Sequence, residues 1–156
     1  MSIKIIGKDR LPIWMLPMML GIFIGLSSFT FFYAKGVSYF SNDPRVCKNC
    51  HIMRVQFDAW NRSSHKRVAT CNSCHTPKDI LGKYAVKGLN GWNHSVAFTT
   101  GHFHEPLRIR PFNREIVLQN CKTCHKDVVS LMASNQKGEM ADCLTCHAQV
   151  GHRSRK

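Results

Sequence analysis

The sequence predicts a mainly α-helical protein with little regular structure. One N-terminal transmembrane helix is followed by a small domain of short helices and loops. Three observations predict this. From Leu11 to Ala34 there are 24 residues without a charge. In residues 35–156 only 47 of 122 are apolar, and eight of those are cysteines, too thin a supply for a conventional core. All eight cysteines recur as Cys-x-x-Cys pairs, so a group held by cysteines is expected to fill the interior. An ordinary soluble globular enzyme is excluded, and so is a polytopic membrane protein, since only one stretch is long enough to span.

The first element is residues 11–34. As a helix it is about 36 Å long at 1.5 Å per residue, enough for a hydrocarbon core of about 30 Å. Trp14 and Tyr33 suit the two interfaces. Pro12 and Pro17 fall in the first turns, where a missing N–H costs least. Gly21 and Gly25 form one GxxxG, a weak helix-contact signal. The run is too long for a cleaved signal peptide and ends FFYAKG without a small-x-small site, so an uncleaved signal-anchor is expected. Residues 1–10 carry Lys4, Lys8 and Arg10 against Asp9 alone, which keeps the N-terminus cytoplasmic. Residues 35–156 then lie in the periplasm.

The second element is a set of four CxxCH motifs: Cys47–Cys50–His51, Cys71–Cys74–His75, Cys121–Cys124–His125 and Cys143–Cys146–His147. Two thiols add to the two vinyl groups of a haem, and the adjacent histidine reaches its iron. Zinc knuckles fit the spacing, with 20 residues between Cys50 and Cys71 and 18 between Cys124 and Cys143. Zinc gives no reason for a histidine after every second cysteine. Disulfides give none either, and a thioredoxin-like site needs one pair. Four covalently bound haem c groups are therefore expected. The motifs group as two dihaem units, about 47–75 and 121–152, joined by a longer connection from Thr76 to Asn120.

Four irons need eight axial ligands, and the motif histidines supply at most four. His65, His94, His102, His104 and His152 remain, with Met53 two residues past His51. A methionine thioether can also ligate haem iron. His65, between the first two motifs, and His152, five residues past His147, are the better placed. His102 and His104 sit in a turn-like GHFHEP stretch. The count falls short by one position, which leaves room for a substrate or a partner's residue.

A single signal-anchor, four CxxCH motifs and CxxCHxM at the first of them resemble the NapC/NirT family of membrane-anchored quinol dehydrogenases. The short length and the absence of a fifth motif are most similar to its small members that serve cytochrome c nitrite reductase. The resemblance implies that Met53 rather than His51 ligates the first iron, and that His75, His125 and His147 are the proximal ligands of the other three. It implies His65 as distal ligand of the fourth haem and His152 of the third, leaving the second to a partner subunit. It also places a Lys, and six or seven residues later an Asp, at a quinol site beside the first haem. Lys87 matches the Lys, with Lys83 second; Asn93 and His94 stand where the Asp is expected. Asn93 can only hydrogen-bond, whereas His94 can take a proton. The bland alternative is that Trp92 to Ser95 caps or turns a helix.

The activity these features imply is oxidation of menaquinol, with electrons passed to a periplasmic multihaem reductase, nitrite reductase being the expected one. The alternatives are a tethered electron carrier without a quinol site, and a quinol dehydrogenase serving another reductase. The net charge of +13, from 22 Lys and Arg against 9 Asp and Glu, alone suggests nucleic acid. Two propionates on each of four haems offset eight of those charges, so no nucleic-acid partner is expected; membrane lipid is.

Overall fold

The computed structural model describes residues 12–130, 132 and 142–152. The expected cytoplasmic segment 1–10, with Lys4, Lys8, Asp9 and Arg10, lies outside the described residues, as does Leu11. The described chain is helical throughout its regular structure, with no strand among the described residues. It divides into two compact units, Met1–Ser38 and Tyr39–Lys156, four residues later than the expected boundary at 34/35.

The first unit holds α1, Met15–Tyr33. None of its residues is buried, and it is long and apolar enough to cross a membrane. An apolar helix with no polar face finds no partner in water and is stable where lipid surrounds it. It stops at Ala34, whose N–H donates to Thr30 O, and the chain then turns through Lys35 at φ 54°. Gly36 follows because a Cβ there would collide with the Phe31 ring.

The second unit is built from short pieces. After the 3₁₀ turn Gly36–Phe40, which spans the division, two more, Pro44–Asn49 and His51–Met53, lead into α2, Arg54–Asn61. A further turn, Ser64–Arg67, precedes α3, Cys71–His75. Then come α4, Ile80–Thr100, α5, Pro111–Cys124, α6, Lys126–Val129, and α7, Cys143–Cys146. The helix starts follow ordinary capping chemistry. Thr70 and Ser73 form a capping box on α3, Asp79 accepts from Gly82 N on α4, and Asp142 accepts from Leu144 N on α7. Pro111 opens α5 at a position whose N–H has no partner. Gly101, at φ 70°, closes α4 in the left-handed conformation.

Side chains make almost no core. Ala59, Val86 and Leu118 are the buried apolar residues among those described. The unit is held instead by polar ties, most of them from α5. Asn113 and Asn90 exchange amide hydrogen bonds of 2.9 and 3.2 Å, joining α5 to α4. Arg114 pairs with Asp142 at the start of α7. Asn120, nearly buried, donates to both Cys74 O and Thr76 O at 2.9 Å, which seats α3 against α5. The second and third motifs are thus packed together, across the division into two dihaem units. The connection expected between residues 76 and 120 is largely helix. At 21 residues α4 is the longest helix described, and Trp92 to Ser95 lie inside it rather than at a cap.

Replacing Asn120 with Ala strands two buried carbonyls, at about 1–3 kcal/mol for each group left without a partner. Thermal unfolding of the holoprotein is expected to show a Tm lower by several degrees. Asn90→Ala, which breaks a half-buried pair, is expected to lower it less.

Candidate functional site

Each motif forms a compact turn. In α3 and α7 the two cysteines sit three residues apart on one helical turn, so both sulfurs face the same way. In α5 the pair ends the helix, with His125 as its C-cap. Cys47 and Cys50 flank the end of a 3₁₀ turn capped by Asp43. The motifs adjoin in chain order. The Cys47 and Cys71 thiols are close enough to shift each other's titration, Cys74 lies within electrostatic range of Cys124, and Cys121 within range of Cys74 and Cys143. The four motifs therefore form one continuous series.

The histidines pair, though not as the resemblance implied. His152 faces His75, with ring centroids 5.8 Å apart, planes 30° apart and Nε2 atoms 3.5 Å apart. The centroid separation exceeds the nitrogen separation by about two ring radii, so the imidazoles meet end to end. His65 faces His125 with centroids 6.1 Å apart. His65 thus stands beside the third motif and His152 beside the second, where the resemblance implied the fourth and the third. The position of His152 has a local reason. Its Nδ1 contacts Gln56 O at 3.1 Å, an anchor that α2 supplies beside the second motif. His147 is exposed, and no histidine ring faces it among the described residues.

These residues fit a haem. Imidazole–metal bonds are about 2 Å long, so two imidazoles sharing one metal hold their nitrogens about 4 Å apart. The His75 and His152 rings stand close to that arrangement. With Nδ1–H donated to Gln56 O, the His152 Nε2 lone pair points toward His75, the way a carbonyl orients a ligating imidazole. Burial, then the nearby His152, pushes the His75 pKa down to about 4. Its lone pair is thus free at neutral pH, as a ligand requires. His51 is exposed and Met53 half-buried.

A separate cluster adjoins the first motif. Lys87 Nζ donates to Tyr39 O at 2.7 Å and to Ser41 O at 2.9 Å. Asn72, in the spacer of the second motif, also donates to Ser41 O, at 3.3 Å, and to Asn42 Oδ1 at 3.0 Å. Burial and the charge of Lys83 hold the Lys87 ammonium below the ordinary lysine range. Burial, then the Cys50 and Cys47 thiols, raises the Tyr39 phenol. His94 stands two helical turns beyond Lys87 on the same side of α4, about 10 Å along the axis. Desolvation and the Arg110 charge lower its pKa, so it is neutral and able to accept a proton at pH 7. Asn93 is half-buried on the neighbouring face of the helix. His102 and His104 are exposed in the segment after Gly101. Sequence reasoning missed Tyr39, Ser41 and Gln56, because they act through backbone carbonyls that no motif marks.

A sequence profile of the NapC/NirT cytochrome c family, N-terminal region, matches residues 9–156. The chain belongs to this family. It is a c-type cytochrome, with covalently bound haem c. Among similar proteins, the cytochrome c-type protein NrfH of Wolinella succinogenes is 34% identical, over 94% of this chain and 89% of its own length. The cytochrome c nitrite reductase subunit NrfH of Nitratidesulfovibrio vulgaris is 31% identical, over 76% and 72%. The crystal structure of a cytochrome c nitrite reductase NrfHA complex bound to the inhibitor HQNO superposes with a TM-score of 0.64 at 26% identity. That match covers 93% of this chain and 94% of the solved one.

The tie between Arg114 and the fourth motif is pH-dependent. Hydrogen bonding to Arg114 holds the Asp142 carboxyl below its usual range. A depressed carboxylate contributes stability above its unfolded pKa, and the contribution disappears as pH falls through the folded value. The Tm difference between wild type and Asp142→Asn is therefore expected to be present at pH 7 and to close toward pH 3.

Proposed function

We propose that this protein is a membrane-anchored tetrahaem cytochrome c that oxidises menaquinol and passes electrons to the catalytic subunit of a periplasmic cytochrome c nitrite reductase. The observation that carries this is the continuous series of four attachment sites. It begins beside a lysine cluster thirteen residues past the membrane span and ends at a motif whose histidine faces no other histidine ring among the described residues. The N-terminus is cytoplasmic and residues 35–156 periplasmic on this reading, as the lysines of the first ten residues favour.

Oxidation of a quinol to a quinone releases two electrons and two protons. When bound, haem c supplies one-electron acceptance at iron. The chain does the rest. Lys87 exchanges a carbonyl hydrogen bond for one to a quinol oxygen and stabilises the anion that develops there. Lys83 adds positive potential on the same side of α4. His94, held neutral, takes a proton, and Asn93 hydrogen-bonds without accepting one. Met53, His75, His125 and His147 would hold the haems, with His152 beside the second motif and His65 beside the third as further ligands. The exposed His147 side is where a reductase residue would approach the fourth.

One observation favours a tethered electron carrier instead: Lys87 is already satisfied by two carbonyls, which suits a purely structural bracket. A quinol assay separates the readings. Lys87→Leu is expected to slow haem reduction by a menaquinol analogue about 10²-fold, the usual cost of losing one such donor, while dithionite reduces it normally. HQNO, bound by the related solved complex, is expected to inhibit the wild type. Unchanged quinol kinetics in the variant favour the carrier.

The pH profile tests His94. Its acid limb is expected below the ordinary histidine value of about 6.5, because a depressed base loses its accepting form only as pH falls through the lowered pKa. His94→Gln is expected to lower the rate across the neutral range and to remove that limb. For the ligands, His152→Ala and His65→Ala are each expected to convert one low-spin centre, and a different one, to high spin in the EPR spectrum. Imidazole should restore each signal.

A further inference from the structure

Helix α4 carries an apolar stripe on its outward face. Leu81, Ala85, Gly88, Leu89, Trp92 and Val96 recur at helical spacing along one side. They are exposed, Leu81 to 85% and Trp92 to 70%. The opposite side is the packed one. Val86 is buried there, Lys87 is tied to Tyr39 and Ser41, Asn90 is paired with Asn113, and a Cβ at Gly91 would meet the Tyr39 ring at 3.1 Å. The first motif lies on that packed side, with Cys47 in electrostatic range of Lys87, so the stripe is not the face that meets it. A solvent-facing helix surface is normally polar; this one is inverted.

We infer that the stripe is seated in the headgroup–acyl boundary of the bilayer, a second membrane contact beyond the span. Two observations choose lipid over a protein surface. The first is covalent reach. Tyr39, which α4 touches through Lys87 and Gly91, follows Ala34 by five residues, and five residues extend at most about 18 Å. The middle of α4 is thus kept near the point where the chain leaves the membrane, whatever the orientation of the two units. The second is composition. A tryptophan within an aliphatic stripe, with no charged residue along it, is the pattern of the apolar face of interfacial helices.

The test uses the full-length holoprotein in vesicles of phosphatidylethanolamine and phosphatidylglycerol. Its native cysteines are blocked by thioether bonds, which the unsubstituted protein verifies by not labelling. Single cysteines are introduced at Gly88, where a Cβ meets nothing within 4 Å, and at Trp92 and Val96. Val68 and Val128, exposed to 81% and 58%, are the controls. Haem content and Soret spectra confirm that each variant is folded. Labelling by a membrane-impermeant maleimide is expected to be at least about tenfold slower at 88, 92 and 96 than at the controls. Equal rates overturn the inference. Protection that appears only after the reductase catalytic subunit is added also overturns it, and assigns the face to that subunit. Neither result depends on quinol turnover, so the outcome is separable from the reading of Lys87 and His94.

Discussion

The arrangement depends on one buried amide. A chain with three buried apolar side chains among its described residues cannot be fixed by side-chain packing, and Asn120 supplies the missing constraint. It stands one residue before Cys121 and holds the carbonyls of Cys74 and Thr76, so it sets the third attachment site against the second. The rest of α5 extends the same logic, since Arg114 holds the start of the fourth motif and Asn113 holds α4. Hydrogen bonds are directional where apolar contacts are not. A protein whose interior is shared with a rigid prosthetic group gains from that. The amides fix the spacing of the attachment points, and the cofactors supply the bulk.

The parts legible in the sequence are those encoded locally. An uncharged run of helical length gave α1, and Pro12, Pro17 and the FFYAKG ending bracketed it within a few residues. Four CxxCH motifs gave the haem sites because thioether chemistry and a neighbouring ligand lie within five residues. Lys87 was found through resemblance, and the structure puts it beside the first motif. The parts that were not legible depend on long-range geometry. That His65 stands beside His125 and His152 beside His75 rests on contacts between distant parts of the chain, such as that of His152 with a Gln56 carbonyl 96 residues away. The residues that hold Lys87 use main-chain oxygens, which any side chain could carry. The length of α4 lay within what reads in sequence as a longer connection, and it contains Gly82, Gly88 and Gly91. Gly88 faces open space and Gly91 admits the Tyr39 ring.

The pairing of histidine rings bears on what the series of motifs can do. With His152 beside His75 and His65 beside His125, the two interior sites would each offer two imidazoles, a saturated environment suited to passing electrons rather than binding substrates. The two end sites differ. At the first, a methionine replaces the usual histidine on the reading proposed above, beside an amine with depressed basicity. At the last, His147 is exposed and faces no other histidine ring among the described residues. A conductor needs closed sites in its middle and open ones at its ends, one for the donor and one for the acceptor. An open site in the middle would instead let a partner interrupt the path.

The basic character of the chain acquires a position as well as a sum. Lys83 and Lys87 lie on the side of α4 that is turned toward the first motif, and Asp79 caps the start of the helix. Desolvation, then the charge of Lys83, lowers the basicity of Lys87, which makes its proton easier to move. The opposite side is apolar and carries none of these charges. One helix can serve both ends only if its apolar stripe and its lysines face different ways, and the spacing of Leu81, Leu89, Trp92 and Val96 against Lys83 and Lys87 provides that separation.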